Sequence, residues 1–146
     1  MVGVKLHPLR IISHPKGDIF HAVKKSSEYF DGFGEAYFSS INFNEIKGWK
    51  KHKKMTLNFV VPVGEVKFVV FDGDSFFTAK LSKNNYQRLT ISPNLWVAFK
   101  GVSSTYNLIL NIASIEHDPE EAINIDLQDI IYDWEYENSN YWSGRI

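Results

Sequence analysis

Short apolar or alternating runs, each closed by a turn signal, recur along most of the chain. Residues 35–43 (EAYFSSINF) alternate, 57–63 (LNFVVPV) are apolar up to Gly64, and 65–71 (EVKFVVF) alternate up to Asp72-Gly73-Asp74. Residues 76–81 form another run before the turn Ser82-Lys83-Asn84-Asn85. Leu89–Ile91 precedes Ser92-Pro93-Asn94, Leu95–Phe99 follows, and residues 106–114 form a long, mostly apolar stretch. Successive side chains of a strand point to opposite faces, so a period of two marks a half-buried strand. Strands separated by turns at roughly 8–12 residue spacing predict an all-β sandwich or barrel, not a βαβ fold. Helical signals are confined to single turns. Ser26–Phe30 is one, and Asp118-Pro119-Glu120-Glu121 is another, with Asp as cap and Pro at the first position.

Composition narrows the class. At 146 residues the chain is expected to form one domain spanning 1–146, with an N-terminal arm over about 1–15 and a C-terminal tail over about 135–146. Aromatic residues reach 15%, which suits pleated surfaces. The formal net charge of −1 gives no electrostatic case for nucleic acid. Without cysteine there is no disulfide framework, thiolate metal site or thiol nucleophile. No run of about 18 apolar residues is present and residues 1–10 lack a signal-peptide core, so a cytoplasmic protein with no membrane span is expected.

Three ordered segments carry a resemblance. They are Ile46-Lys47-Gly48-Trp49-Lys50-Lys51-His52-Lys53, then Leu81-Ser82-Lys83-Asn84-Asn85 with residues 89–99 (LTISPNLWVAF), then Asp118-Pro119-Glu120-Glu121 with residues 129–134 (DIIYDW). Together with Lys16-Gly17-Asp18-Ile19-Phe20 upstream, the chain resembles the dTDP-4-dehydrorhamnose 3,5-epimerase family and its shorter relatives in surface-polysaccharide gene sets. The resemblance implies a cupin-type jelly roll with minor short helices, and a homodimer whose N-terminal strands cross between subunits. It implies a nucleotide-linked 4-keto-6-deoxyhexose as substrate, with no cofactor and no metal. The ketone acidifies the C–H bonds at C3 and C5. A base takes one proton, an acid returns one on the opposite face, and a cation or donor steadies the enolate oxygen between.

The chain departs from the family pattern at the residues that matter most. Lys50 stands where the family has its catalytic histidine, and Val97 replaces a second histidine. The catalytic tyrosine of the late apolar strand has no counterpart there, with Asn111 the nearest polar residue. The shared face of residues two apart in a strand still joins Lys50 to His52. The expectation is therefore His52 as base, Lys50 as its electrostatic partner, and Asp126 or Asp129 as the carboxylate that orients the imidazole. Lys47 would bind phosphate, and Asn111 and His117 would line the substrate site. With one proton-transfer position lost, inversion at C3 alone is favoured. A sugar 3,4-ketoisomerase and a catalytically inactive, sugar-nucleotide-binding or scaffolding cupin are the alternatives. A bland reading also exists for the basic run 47–54, that of a solvated edge strand guarded by lysines. A cupin metal centre is not expected, because a lone imidazole lacks the three or more ligands a transition metal takes.

Overall fold

The computed structural model describes residues 1–135. Residues 136–146 of the expected C-terminal tail, with Tyr136, Tyr141 and Trp142, lie outside the described residues. Twelve strands run through the rest: β1 (Val4–Pro8), β2 (Ile11–Ile12), β3 (Ile19–Phe20), β4 (Glu35–Ser40), β5 (Ile46–His52), β6 (Leu57–Val63), β7 (Glu65–Phe71), β8 (Phe76–Ser82), β9 (Gln87–Ile91), β10 (Trp96–Gly101), β11 (Leu108–Ala113) and β12 (Ala122–Asn124). Two five-stranded sheets result, in the orders β1-β9-β6-β11-β4 and β12-β5-β10-β7-β8, with β2 and β3 forming a separate pair. All the pairings between these strands are antiparallel. The all-β jelly-roll expectation holds.

The two central hairpin strands explain why the sheets face each other. Along β7, Val66, Phe68 and Val70 join the main core, while Val69 packs in a second cluster on the other face. Phe59 of β6 stacks on Phe68 with centroids 5.0 Å apart, and Phe99 of β10 lies 5.6 Å from Phe68. These three rings knit the sheets together, with aromatic pair geometry worth about 0.5–1.5 kcal/mol beyond area burial. The second cluster forms where the C-terminal segment crosses the outside of the second sheet. Trp49 is fully buried there with Ile125, Leu127, Tyr132 and Trp134 around it, and its Nε1 donates to the Leu127 carbonyl at 3.1 Å.

Two local expectations change. Ser26–Phe30 forms turns and no helix. The Asp118 signal does cap a short 3-10 turn, Pro119–Glu121, its side chain accepting from the Glu120 amide at 3.0 Å. The apolar residues of the N-terminal arm find partners in their own chain: β1 pairs with β9, Val4 is buried and Leu6 packs on the core. Among the described residues no helix is long and apolar enough to cross a membrane.

Candidate active site

β5 carries the basic run, and it is not an edge. It lies between β12 and β10. Opposite β10 the register runs Lys50 to Val97 and Lys47 to Phe99, so three steps on β5 match two on β10. This bulge, with a cis Gly48–Trp49 peptide inside it, breaks the alternation. Lys47, Lys50 and His52 consequently all line one cavity, although 47 and 50 have opposite parity. The bulge depends on Gly48 having no side chain, because a Cβ there would sit 2.3 Å from the Ala98 Cβ and 2.8 Å from its Cα. Gly48→Ala is expected to lower stability by about 1–3 kcal/mol through overpacking. A urea unfolding midpoint equal to the wild type's would refute this close approach.

The cavity, about 340 Å³, opens between the two sheets. Tyr37 and Ser39 of β4 and Leu57 and Phe59 of β6 come from one sheet, while Lys47, Lys50, His52, Val97 and Phe99 come from the other. Asn124 and Ile125 complete the wall. The volume lies at the small end of ordinary ligand pockets. Among the described residues no carboxylate lines it, whereas two ammonium groups do, so it favours an anionic guest. Lys47 also donates from Nζ to the Ser40 carbonyl at 2.8 Å.

His52 has a carboxylate partner, and it is Glu121. The Nδ1 to Oε1 separation is 2.5 Å, with His52 11% and Glu121 3% exposed at the side chain. The second oxygen of Glu121 accepts from the backbone amides of Lys54 at 2.8 Å and Met55 at 2.9 Å. Burial pushes the Glu121 carboxyl up. The hydrogen bonds from His52, Lys54 and Met55 and the nearby His52 charge outweigh that and leave it below its ordinary 4.5. An ionised carboxylate can only accept, so Nδ1 is the protonated nitrogen and Nε2 of the neutral ring is the free base.

Sequence reasoning gave the carboxylate role to Asp126 or Asp129. Both are exposed, and they serve the adjoining 3-10 turn (Leu127–Asp129), the Asp126 amide donating to Asp129 Oδ2 at 2.9 Å. Glu121 was visible in the sequence only as the end of a capped turn. It reaches His52 because β12, which follows it directly, pairs antiparallel with β5, Ala122 opposite His52. His117 is exposed and stands apart from the cavity wall.

Asn111 is buried and acts at one remove. Its Oδ1 accepts from the Asn58 amide at 3.0 Å, which fixes the orientation of its side chain. Its Nδ2 then donates to the Tyr37 hydroxyl oxygen at 3.0 Å. With that oxygen already accepting, the Tyr37 proton is available to a guest. Thus a phenol does stand in the cavity, contributed by β4, where register places Tyr37 opposite Asn111. The signal for it was the alternation in 35–43.

Residues 2–131 match the family described as "FdtA: WxcM-like, C-terminal". The chain belongs to this family. The resemblance to sugar-nucleotide epimerases and their shorter relatives fits that assignment. A structure of a dTDP sugar isomerase from Desulfovibrio desulfuricans G20 is 31% identical, with a TM-score of 0.88 over 94% of each chain. The sugar 3,4-ketoisomerase QdtA from Thermoanaerobacterium thermosaccharolyticum, in complex with TDP, shares the fold at 18% identity, with a TM-score of 0.74 over 99% of this chain and 95% of that one. The 3,5-epimerase RmlC from Legionella pneumophila Philadelphia 1 does so at 17% identity, with a TM-score of 0.77 over 88% of this chain and 76% of that one. Comparison with curated proteins gave no match.

Proposed function

We propose that this chain is an isomerase of a nucleotide-linked 4-keto-6-deoxyhexose, and that it begins by removing the C3 proton. The observation that carries this reading is the His52–Glu121 pair, a carboxylate-backed base facing a cavity with two ammonium groups. Lys47 would meet the diphosphate, and Lys50, on the same wall as the base, would steady the enolate oxygen. The names of the related structures, a dTDP sugar isomerase among them, support a nucleotide sugar as guest.

Inversion at C3 is the outcome the geometry favours. It requires a second proton donor across the sugar from the base, and Tyr37 rises from the opposite sheet to His52. The 3,4-ketoisomerase reading has its own support, since one base can take the C3 proton and return it at C4 through the same enediol. An inactive cupin would have no use for a fixed base and a fixed phenol in one cavity. The same proposal has the chain as a homodimer, supported by the open edge strand β4, with Phe33 67% and Phe38 64% exposed in and just before it.

The test is incubation with a dTDP-linked 4-keto-6-deoxyglucose in heavy water, followed by NMR of the sugar. Deuterium at C3 with an inverted centre is the expected result. A 3-keto product would select the ketoisomerase reading, and no isotope entry above background would remove the enzyme assignment.

A further inference from the structure

Behind the first sheet lies a second hollow, about 270 Å³, that the proposed chemistry does not use. Its position follows from register: His7 of β1 pairs with Arg88 of β9, while their neighbours Leu6 and Leu89 pair and face the core. His7 and Arg88 therefore share the outer face, and the segment 21–28 closes over them. Among the described residues, three cations line the hollow, Arg10, Lys24 and Arg88, with two imidazoles, His7 and His21, against one carboxylate, Glu28.

Arg88 is the informative residue. It is only 2% exposed, yet its hydrogen bonds go to neutral oxygens, Nε to Asn58 Oδ1 at 3.1 Å and one Nη to the Glu28 carbonyl at 2.7 Å. A buried guanidinium without a carboxylate carries an uncompensated desolvation cost, which an anion beside it would offset. His7 adds a second sign of a missing partner, its Nε2 being sealed from solvent without a hydrogen bond. Burial and then the Arg88 charge hold its imidazole below the ordinary value, with Lys5 acting the same way and Glu28 opposing.

We propose that this hollow is an oxyanion site, separate from the inter-sheet cavity, that takes a phosphate group between Arg88, Arg10 and Lys24. Donors arriving from β9, from the end of β1 and from the covering segment suit a tetrahedral anion, and Arg is the preferred partner for phosphate.

The test titrates the full chain with inorganic phosphate and follows the His7 and His21 ring protons by NMR, with chloride at matched ionic strength as control. A saturable shift specific to phosphate is expected, weakened about tenfold or more in the double variant Arg10→Ser, Lys24→Ser. Arg88 is left intact because its Nε also holds Asn58, and Asn58 holds Asn111. The shift should persist in His52→Ala. No saturable shift, an equal shift with chloride, unchanged affinity in the double variant, or loss of the shift in His52→Ala would each overturn the proposal.

Discussion

Replacing His52 with alanine is expected to cut deuterium entry at C3 by about 10²–10⁴-fold, the usual contribution of a positioned proton-transfer group. The fold should survive. Glu121 keeps two backbone amides on its other oxygen, and the oxygen left behind can be solvated through the space the ring vacates, since His52 is at the cavity wall. Single-turnover isotope exchange measures the first effect, and circular-dichroism melting controls for the second. Exchange at the wild-type rate in a folded His52→Ala protein would move the base elsewhere. Lys50 would then be the first residue to examine, because it lines the same cavity.

Glu121→Gln is expected to be costly in two ways at once. Glu121 accepts from three donors, the His52 ring and the amides of Lys54 and Met55. A glutamine has one acceptor oxygen and one NH₂ group, so with its oxygen kept on the two amides its NH₂ must either face a protonated His52 Nδ1 or turn the neutral ring to its Nε2–H tautomer. Leaving a buried donor unmade costs about 1–3 kcal/mol. Catalysis should fall too, to a rate between wild type and His52→Ala, because the imidazole loses the group that fixes its tautomer and the charge that stabilises it once protonated. The stability loss carries a pH signature. Glu121 sits below its ordinary 4.5 when folded, so its contribution is complete above that value and disappears as the pH falls through its folded value. Urea midpoints should therefore separate wild type from variant near neutrality and converge as the pH falls below 4.5 and through the folded value. A gap that is unchanged or wider in acid would mean that Glu121 is not held ionised by these donors.

The strands were legible because β burial writes itself as a period of two. EVKFVVF announces β7 with Val66, Phe68 and Val70 inward, and the turn at Asp72-Gly73-Asp74 ends it. The short strands β2, β3 and β12 were not legible. Two or three residues hold no periodicity, and β12 pairs with β5 from far back along the chain. The basic run also allowed a guarded-edge reading, because nothing local says that β12 will close over it.

The order of motifs was enough to determine the fold class, the family and the cavity-facing pair Lys50 and His52, because alternation within one strand is a local property. The tertiary structure alone decided that Glu121 backs His52, that a bulge at Gly48 turns Lys47 inward, and that the phenol is Tyr37 fixed by Asn111. Each of these joins residues on different strands. Register and sheet order set such contacts, and no spacing along the sequence encodes them.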